Sequence, residues 1–589
     1  MTPAEALSQV VAAIEAEGER LRAEFHAPHG PRGSRGKCPL DREIEERLQA
    51  ALQKLIPAQF CGEECAVTPG TRAGWVWLVD PHDGTFEYTA GRRGSAISVA
   101  LVCEGKPVMG VVHAPDAPDR GRDTIAWAEG AGPIQRNGVA IHTDLSREAL
   151  KPGSLVWATA SSALRPETWA RAASPARYVA MPSIAYRLAR IAAGDGIATA
   201  STHPINEYDI AAGLALVRAA HGVALDAQGK DIMLQGNSDR RVTGCFAGAA
   251  QAAAQLARFD WTALETEPRR EYRTALPFPR RDEGARLVRA QGAMLGQVIG
   301  DSLGSRVEAK PAAEIAKLFP GGVRELGDGG PFHTMAGQPT DDSEMALTLA
   351  RTIVSEKKYA REKVLDAYRA WLTSRPVDVG ITTERGLLGL ITTESESNGS
   401  LMRCSPIGVW AAGDPALAAR TARDDSTLTH GNAVCLESCA AYCAAVAAGV
   451  GGASREEMFE AAAAHAKGPA HEAVKRAAKG IAPTDYFTHQ GWVLVALQNA
   501  FWCLHSLDFE EALVQTVGRG GDTDTNAAIA GALLGACHGR DAIPQRWKFQ
   551  VLSCRPLAEA GALRPRPMEY WPDDVLELAE ALLNSDPGS

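Results

Sequence analysis

The chain has 589 residues, of which 45% are hydrophobic and 22% are charged, as in ordinary soluble globular proteins. One hydrophobic core does not serve a chain of this length, so we expect two or more domains. The formal charge of −10, without a long basic run, argues against a dedicated nucleic-acid-binding surface. We also see no uninterrupted apolar stretch of the roughly 18 residues that a membrane span needs, and we expect no membrane partner.

The first segment, Met1 to Phe25, carries several glutamates among its alanines. It predicts an amphipathic helix, because a signal peptide has a basic start and an apolar centre. The twelve cysteines suggest free thiols: Cys61 and Cys65 lack a second Cys or His pair for zinc. We therefore expect a cytoplasmic protein in a reducing compartment.

The composition changes near residue 265 and predicts a multidomain protein. We expect one domain over residues 1–264, a Pro- and Arg-rich linker over 265–283 and a second domain over 284–589. In the first domain, strand-like runs such as Trp75–Val79 and Ala96–Val102 alternate with helices, which indicates a layered α/β (α+β) fold.

The second domain is rich in Ala, Gly and Leu at helical spacing, which predicts an all-α fold. The clearest predicted helices are Leu287–Ile299, Glu344–Val354, Ala433–Ala448 and Thr525–Cys537.

Acidic residues surround a tight turn in the first domain. Val76–Val79 predicts a buried strand ending at Asp80, after which a proline and a glycine force a turn. This turn would point Asp80, Asp83 and the His82 carbonyl into one small volume, and hard oxygen ligands of this kind suit Mg²⁺. Taken alone, the motif could also be a β-turn capped by Asp and Thr.

Two further motifs accompany the turn: Gly62-Glu63-Glu64, and Tyr208-Asp209-Ile-Ala-Ala-Gly213 at the start of a small-residue helix. Together with Trp77-Leu-Val-Asp80-Pro-His-Asp83-Gly-Thr85, they resemble the inositol monophosphatase superfamily. The family pattern is G-E-E, W-x-x-D-P-x-D-G-T and W-D-x-A-A-G, and the match spans about residues 1 to 260.

This resemblance implies a phosphomonoester phosphatase with two or three Mg²⁺ ions. The implied ligands are Glu63, Asp80 and the His82 carbonyl for the first ion, and Asp80, Asp83 and Asp209 for the second. Thr85 and Asp41 would orient and deprotonate the attacking water.

The first domain departs from the family pattern at two positions. Tyr208 replaces the usual Trp, and Pro182-Ser183 stands where the family often has Gly-Ser near its substrate-binding segment. The sequence after Asp83 looks nearer to the 3′(2′),5′-bisphosphate nucleotidase branch than to the inositol-specific members.

The second domain has two carboxylate clusters at predicted helix starts, Thr340-Asp341-Asp342-Ser343 and Asp522-Thr-Asp524-Thr525-Asn526, each behind glycines. Thr and Asp are good N-caps, which is the alternative interpretation of either cluster alone. Like charges so close together repel, and cations between the two clusters would relieve that repulsion.

These clusters resemble the ADP-ribosylglycohydrolase family over about residues 284 to 555. The supporting motifs are Gly292–Gly304 (GAMLGQVIGDSLG) with Glu308 after it, Ser397-Asn-Gly-Ser-Leu-Met-Arg403, and Thr429-His430.

The resemblance implies a dinuclear Mg²⁺ or Mn²⁺ centre that cleaves the anomeric C1″ bond of ADP-ribose. The implied ligands are Thr340, Asp341, Asp342, Asp522, Asp524 and Thr525, with Asp522 or Asp524 bridging the ions. Glu308 matches a catalytic flap glutamate. The loop residues expected along the substrate are Asn398, Gly399, Ser400 and Met402.

We therefore expect a bifunctional hydrolase that acts on a small-molecule phosphate ester and on an ADP-ribosylated substrate or ADP-ribose derivative. The phosphate ester would be an inositol phosphate or a 3′(2′)-phosphonucleotide. The alternative is that one half is a catalytically silent ADP-ribose- or nucleotide-binding module. Ser397 stands where many members have Gly, so the sequence leaves open whether an Arg N-linked, a Ser O-linked or another bond is broken. An oligomer is compatible with the sequence.

Overall fold

The computed structural model describes residues 1–34, 36–236, 240–276, 284–506 and 508–585. The chain divides into two compact units, Met1–Tyr272, and Arg273–Leu276 with the described residues from 284 onward. Of the predicted linker 265–283, residues 277–283 lie outside the described residues. Residues 265–272 belong to the first unit, where the Glu267 carboxylate accepts hydrogen bonds from the backbone of Glu167 and Thr168.

The first unit mixes strands and helices. Its strands are β1 (Gln59–Gly62), β2 (Trp75–Asp83), β3 (Ala96–Cys103), β4 (Lys106–Ala117), β5 (Gly121–Ala128), β6 (Gln135–Arg136), β7 (Val139–Ala140), β8 (Leu155–Ala158), β9 (Arg177–Ala180), β10 (Ala198–Ser201), β11 (Ile205–Asn206), β12 (Val223–Leu225), β13 (Arg241–Val242) and β14 (Cys245–Gly248). Its helices are α1 (Pro3–Phe25), α2 (Pro39–Leu55), α3 (Thr85–Thr89), α4 (Pro166–Ala173), α5 (Ile184–Ala192), α6 (Glu207–Ala219), α7 (Ala250–Arg258) and α8 (Ala263–Thr266).

This unit contains three sheets with helices packed against them, and the smallest sheet is the antiparallel pair β11–β13. The seven-stranded sheet runs in the order β1 to β7 and is antiparallel except for the parallel pair β1–β2. The five-stranded sheet has the order β12-β14-β10-β8-β9. Helices α1 and α6 contact opposite faces of β4, while α5 contacts strands of both sheets. The layered α/β expectation for the first domain is confirmed.

The second unit is helical. Its helices are α9 (Ala285–Gly304), α10 (Ala312–Leu318), α11 (Asp341–Glu356), α12 (Arg361–Thr373), α13 (Ile381–Leu387), α14 (Ser405–Trp410), α15 (Pro415–Ser426), α16 (Ala433–Val450), α17 (Arg455–His465), α18 (Gly468–Ala478), α19 (Val493–Cys503), α20 (Phe509–Gly518), α21 (Thr523–His538), α22 (Gln545–Leu552) and α23 (Val575–Asn584). The all-α expectation and the four helices predicted most clearly are confirmed.

Helices α9 and α21 form the centre of this unit, and glycines let their backbones touch. A Cβ added at Gly296 would lie 2.1 Å from the Gly531 carbonyl oxygen, and one added at Gly531 would lie equally close to Gly296. A Cβ at Gly304 would meet the backbone of Thr523 at 2.3 Å. This close approach fixes the C-terminal end of α9 against the N-terminal end of α21, where the second carboxylate cluster begins.

Among the described residues, one helix, α16, is long and apolar enough to cross a membrane by length and composition. In the structure, 78% of that stretch is buried inside the protein. Its Cys435, Cys439 and Cys443 are buried, as expected for small core residues. The helix therefore has the burial of a core helix.

Candidate active sites

The C-terminal end of β2 and the turn at Gly84 are held by local hydrogen bonds. The His82 backbone N–H donates to Asp80 Oδ1 (2.8 Å), and the Thr85 hydroxyl donates to the His82 carbonyl (2.5 Å). Gly84 takes φ of 94°, a left-handed conformation that other L-residues adopt at a cost. The Asp-Pro-His-Asp-Gly-Thr sequence therefore determines the turn locally.

The structure brings Glu63, Asp80, Asp83 and Asp209 together. Burial and the neighbouring carboxylates raise the pKa of Glu63 to about 7, and they raise the pKa of Asp80 and of Asp209 well above the usual value. Asp80 lies within hydrogen-bonding reach of both Glu63 and Asp209. Glu63 and Asp209, which are 146 residues apart in the sequence, thus contribute to one acidic cluster.

Asp83 is anchored by the N-terminal end of α5. Its Oδ2 accepts hydrogen bonds from the Ser183 hydroxyl (2.6 Å) and the Ala185 backbone N–H (2.7 Å). Burial raises the pKa of Asp83, while these hydrogen bonds and the Arg187 guanidinium oppose that rise. The Pro182-Ser183 departure from the family pattern therefore retains a hydroxyl that orients Asp83.

Glu45 is a contributor to this site that the sequence analysis missed. Its buried carboxylate accepts hydrogen bonds from the backbone N–H groups of Glu63 (2.9 Å), Glu64 (2.9 Å) and Cys65 (2.7 Å). It therefore holds the loop that carries Glu63. Its position four residues after Asp41 on α2, among the buried Ile44 and Leu48, was an available signal.

Asp41, predicted to deprotonate the attacking water, lies in the first turn of α2 and is buried. Its Oδ1 is 2.7 Å from His82 Nδ1, and His82 Nε2 is 3.2 Å from the Ser95 hydroxyl. The Asp41 charge acts on Glu63. Asp41 thus borders the acidic cluster and is oriented by the side chain of His82.

In the second unit, Thr340, Asp341 and Asp342 occupy the start of α11, and all three are buried. Asp301, on α9, accepts hydrogen bonds from the Thr340 backbone (3.1 Å) and the Ser343 backbone (3.1 Å), and the Thr340 hydroxyl lies 2.9 Å from it. Burial raises the pKa of Asp301 to about 6. Asp301 therefore acts as the cap that fixes this helix start.

Asp522, Asp524 and Thr525 meet the first cluster at the start of α21. Oxygens of Glu308, Asp522 and Asp524 lie within 4.8 Å of one another. The Asp342 carboxyl lies within hydrogen-bonding reach of Thr525, and burial together with the Asp341 charge raises its pKa well above the usual value. Burial and the Asp522 charge raise the pKa of Glu308 to about 8. The two sequence clusters form one site.

A cavity of about 320 Å³ opens over these carboxylates. Of the four loop residues predicted along the substrate, Asn398, Gly399 and Met402 line it. The Asn398 side chain donates to Asp522 Oδ2 (2.7 Å). The Ser400 hydroxyl instead lies 2.8 Å from the Ser426 hydroxyl in the core.

Asp378 also lines this cavity and was missed by the sequence analysis. Its carboxyl lies within hydrogen-bonding reach of Asp341, and its charge contributes to the raised pKa of Glu308. The signal was present in Pro376-Val-Asp378-Val-Gly380, where an acidic residue precedes a helix. His430 of the Thr429-His430 motif is buried, with Nε2 2.9 Å from the Ser397 hydroxyl.

The residues of both sites fit divalent cations. Buried carboxylates that raise one another's pKa are stabilised by a cation, and oxygen donors are those that Mg²⁺ and Mn²⁺ accept. Among the described residues, Glu308 Oε2 and Asp342 Oδ1 are buried without a hydrogen-bond partner. Buried polar atoms without partners are rare, and a bound ion would satisfy both.

Two different protein-family models match the two halves of the chain. The family model for ADP-ribosylglycohydrolase matches residues 282–587, and the model for the inositol monophosphatase family matches residues 9–262.

Curated relatives match each half separately. The ADP-ribosyl-dinitrogen reductase glycohydrolase of Rhodospirillum rubrum is 33% identical over 273 residues, which cover 44% of this chain and 88% of that protein. The ADP-ribosylarginine hydrolase Tri1 of Pseudomonas putida is 28% identical over 283 residues, covering 45% and 74%. The fructose-1,6-bisphosphatase/inositol-1-monophosphatase of Thermotoga maritima is 32% identical over 196 residues, covering 33% and 72%. The chain therefore belongs to two hydrolase families, the inositol monophosphatase family through residues 9–262 and the ADP-ribosylglycohydrolase family through residues 282–587.

Proposed function

We propose that the protein is a bifunctional, metal-dependent hydrolase. The first unit would hydrolyse a phosphomonoester, and the second would hydrolyse an ADP-ribosyl linkage. The observation that supports this most strongly is that each unit gathers a full set of acidic residues from distant segments into one buried cluster. A buried cluster of like charges is costly unless it serves to hold cations.

In the first site, the proposed ligands are those that the resemblance implies. Glu63, Asp80 and the His82 carbonyl would bind one Mg²⁺, and Asp80, Asp83 and Asp209 would bind a second. The proposal is for two or three Mg²⁺ ions in total. Bound Mg²⁺ would supply an acidified water and neutralise charge on the phosphate oxygens and the leaving alkoxide.

The chain's own residues would then position that water. The Thr85 hydroxyl donates to the His82 carbonyl, so its oxygen lone pairs are left to accept a hydrogen bond from the water. Asp41 would take the proton, and the His82 imidazole holds the Asp41 carboxylate in place. A buried carboxylate fixed in this way needs little rearrangement when the proton moves.

The proposed substrates of this site are inositol phosphates or 3′(2′)-phosphonucleotides. Ser183 and the Ala185 backbone are committed to Asp83, and Pro182 has no N–H to offer a phosphate oxygen. Substrate selection therefore falls to the residues around this segment, which an assay with both substrate types would reveal.

In the second site, Thr340, Asp341, Asp342, Asp522, Asp524 and Thr525 are the proposed ligands of two Mg²⁺ or Mn²⁺ ions. Such ions would bind sugar hydroxyls and position water at the anomeric carbon. Asn398 orients Asp522, and the Asn398–Met402 loop would lie along the ADP-ribose.

Glu308 is the proposed acid–base group of this site. Its pKa of about 8 in the metal-free protein reflects burial and the Asp522 charge, so bound cations would lower it toward the working range of a general acid–base. The carboxylates around the cavity would also stabilise positive charge on a sugar carbon with oxocarbenium character.

The test uses the full chain and two variants, Asp83→Asn and Asp524→Asn. We expect Mg²⁺-dependent release of phosphate from inositol monophosphate or 3′-phosphoadenosine 5′-phosphate, which Asp83→Asn abolishes and Asp524→Asn leaves intact. Release of ADP-ribose from an ADP-ribosylated peptide should show the opposite dependence. If one half binds its ligand tightly in calorimetry and yields no product, that half is a silent binding module and the bifunctional proposal is wrong.

A further inference from the structure

A second group of ligand-type side chains lies beside the first acidic cluster. Cys38 precedes α2 as its N-cap, Asp41 is in the first turn of that helix, and His82 lies near the C-terminal end of β2. One donor atom from each lies within 4.8 Å of the other two, and all three residues are buried. The sequence Cys38-Pro-Leu-Asp41 therefore supplies two donors at one helix start, and the fold brings the third.

The donor set differs in kind from the neighbouring carboxylates. Mg²⁺ prefers oxygen, whereas a thiolate, an imidazole and a carboxylate together are typical ligands of Zn²⁺. Three protein ligands with a fourth position left for water or another group are a common zinc arrangement.

The orientation of His82 also suits a metal ligand. Its Nδ1 faces Asp41 at 2.7 Å, while its Nε2 lies 3.2 Å from the Ser95 hydroxyl on the opposite side of the ring. A metal-binding histidine usually has its second nitrogen held by such a partner, which fixes the ring orientation. Its backbone carbonyl is the atom proposed to bind Mg²⁺, so His82 would serve both sites through different atoms.

We propose that Cys38, Asp41 and His82 form a binding site for Zn²⁺, to which His82 contributes its imidazole and not the carbonyl proposed for Mg²⁺. The thiol releases its proton when the metal binds. Because Zn²⁺ would occupy the Asp41 carboxylate, it would inhibit the phosphatase; this consequence, unlike binding itself, rests on the proposed function of Asp41.

The test is a titration of the full chain with Co²⁺, a spectroscopic substitute for Zn²⁺, in the presence of saturating Mg²⁺. We expect a near-ultraviolet thiolate-to-cobalt charge-transfer band that added Zn²⁺ removes. Cys38→Ser should abolish the band and weaken Zn²⁺ binding by about 100-fold or more, since even outer partners of metal ligands contribute 10- to 100-fold. Serine is a good N-cap, so α2 should keep its start.

The matched control is Cys65→Ser, which removes a cysteine of the same unit outside the proposed site and should retain the band. His82→Gln, which keeps the backbone carbonyl, should lose it. An absent band in the wild-type chain, or a band that Cys38→Ser leaves unchanged, overturns the zinc proposal.

The inhibition is measured separately, as phosphate release at increasing Zn²⁺ concentration. Wild-type activity should fall with Zn²⁺ while Cys38→Ser resists it. A Cys38-dependent band in a chain without phosphatase activity would support the zinc site and count against the proposed phosphatase, whereas an active phosphatase without the band would do the reverse.

Discussion

Both acidic clusters hold several carboxylates close together in a buried site, but they differ in how fully the carboxylate oxygens are hydrogen-bonded. In the first unit, carboxylates receive hydrogen bonds from the protein, namely Asp80 from His82, Asp83 from Ser183 and Ala185, and Asp209 from Asn206. In the second unit, Asp301, Asp341, Asp522 and Asp524 also accept hydrogen bonds, but one buried oxygen of Glu308 and one of Asp342 have no partner among the described residues.

Because of this difference, we expect the stability of the two units to depend on bound ions to different extents. Hydrogen bonds to a carboxylate favour its charged form even without a cation. The first cluster should therefore lose less stability than the second when metal is removed. The second cluster lies at two helix N-termini, whose dipoles help but fall off within one turn.

The largest expected effect comes from the loss of a proposed metal ligand. Asp209→Asn should lower phosphate release, and Asp342→Asn should lower ADP-ribose release, each by more than about 100-fold, because the carboxylate charge that holds the ion is lost. Steady-state kinetics at saturating Mg²⁺ measures both. The exposed Asp231→Asn and Asp366→Asn are controls for the two units and should retain activity. Near-normal turnover in either ligand variant would show that the residue is not a ligand of the catalytic metal.

Outer residues should have the next largest effect. Glu45→Gln should raise the Mg²⁺ concentration needed for phosphatase activity about 10- to 100-fold, because an amide replaces one of the oxygens that hold the Glu63 loop. Asp301→Asn should do the same to the glycohydrolase. The neighbouring exposed Glu46→Gln serves as control, and an unchanged Mg²⁺ requirement in Glu45→Gln would show that the loop is held by other contacts.

Chelation should separate the stabilities of the two units. At a metal concentration 100 times its Kd, binding contributes about 2.7 kcal/mol, or a shift in Tm of about 4–5 °C for a unit of this size. We expect calorimetry with and without chelator to show the larger fall in the second unit, whose carboxylate oxygens lack partners. A larger fall in the first unit would reverse the comparison.

The smallest predicted effect is a pH dependence of the metal-free protein. Glu308, with a pKa of about 8, and Glu63, with a pKa of about 7, bind protons more tightly folded than unfolded. Folding therefore gains from their protonation at low pH, and that gain is lost as pH rises through 7 and 8. In chelator, Tm should decline between pH 5 and pH 8, and saturating Mg²⁺ should flatten the decline. A Tm in chelator that rises over this range would contradict the raised pKa values.

Much of the molecule could be predicted from its sequence because the informative signals are local. The buried strand before Asp80, the turn at Gly84 and the helices starting at Asp341 and Thr523 follow from turn residues, caps and periodicity, although β2 continues past the predicted end at Asp80 to Asp83. The motifs also indicated both families, which the comparisons confirm.

The sequence analysis missed Glu45, Asp301 and Asp378 because the local signals at these positions are weak and also fit ordinary structural roles. A glutamate on an amphipathic helix usually faces water, and Asp301 looks like an isolated polar residue in an apolar helix. The expectation that Ser400 lies along the substrate depended on the loop path, and the structure turns its side chain toward Ser426.

The two fold types, the local turns and helix starts, and most of the acidic residues of each site could be predicted from the sequence. The tertiary structure was needed to show which carboxylates meet, which are held by hydrogen bonds, and that Cys38 lies close to His82. The physical reason is that electrostatic and hydrogen-bond energies depend on separations of a few ångströms, and packing sets those separations between segments far apart in the chain.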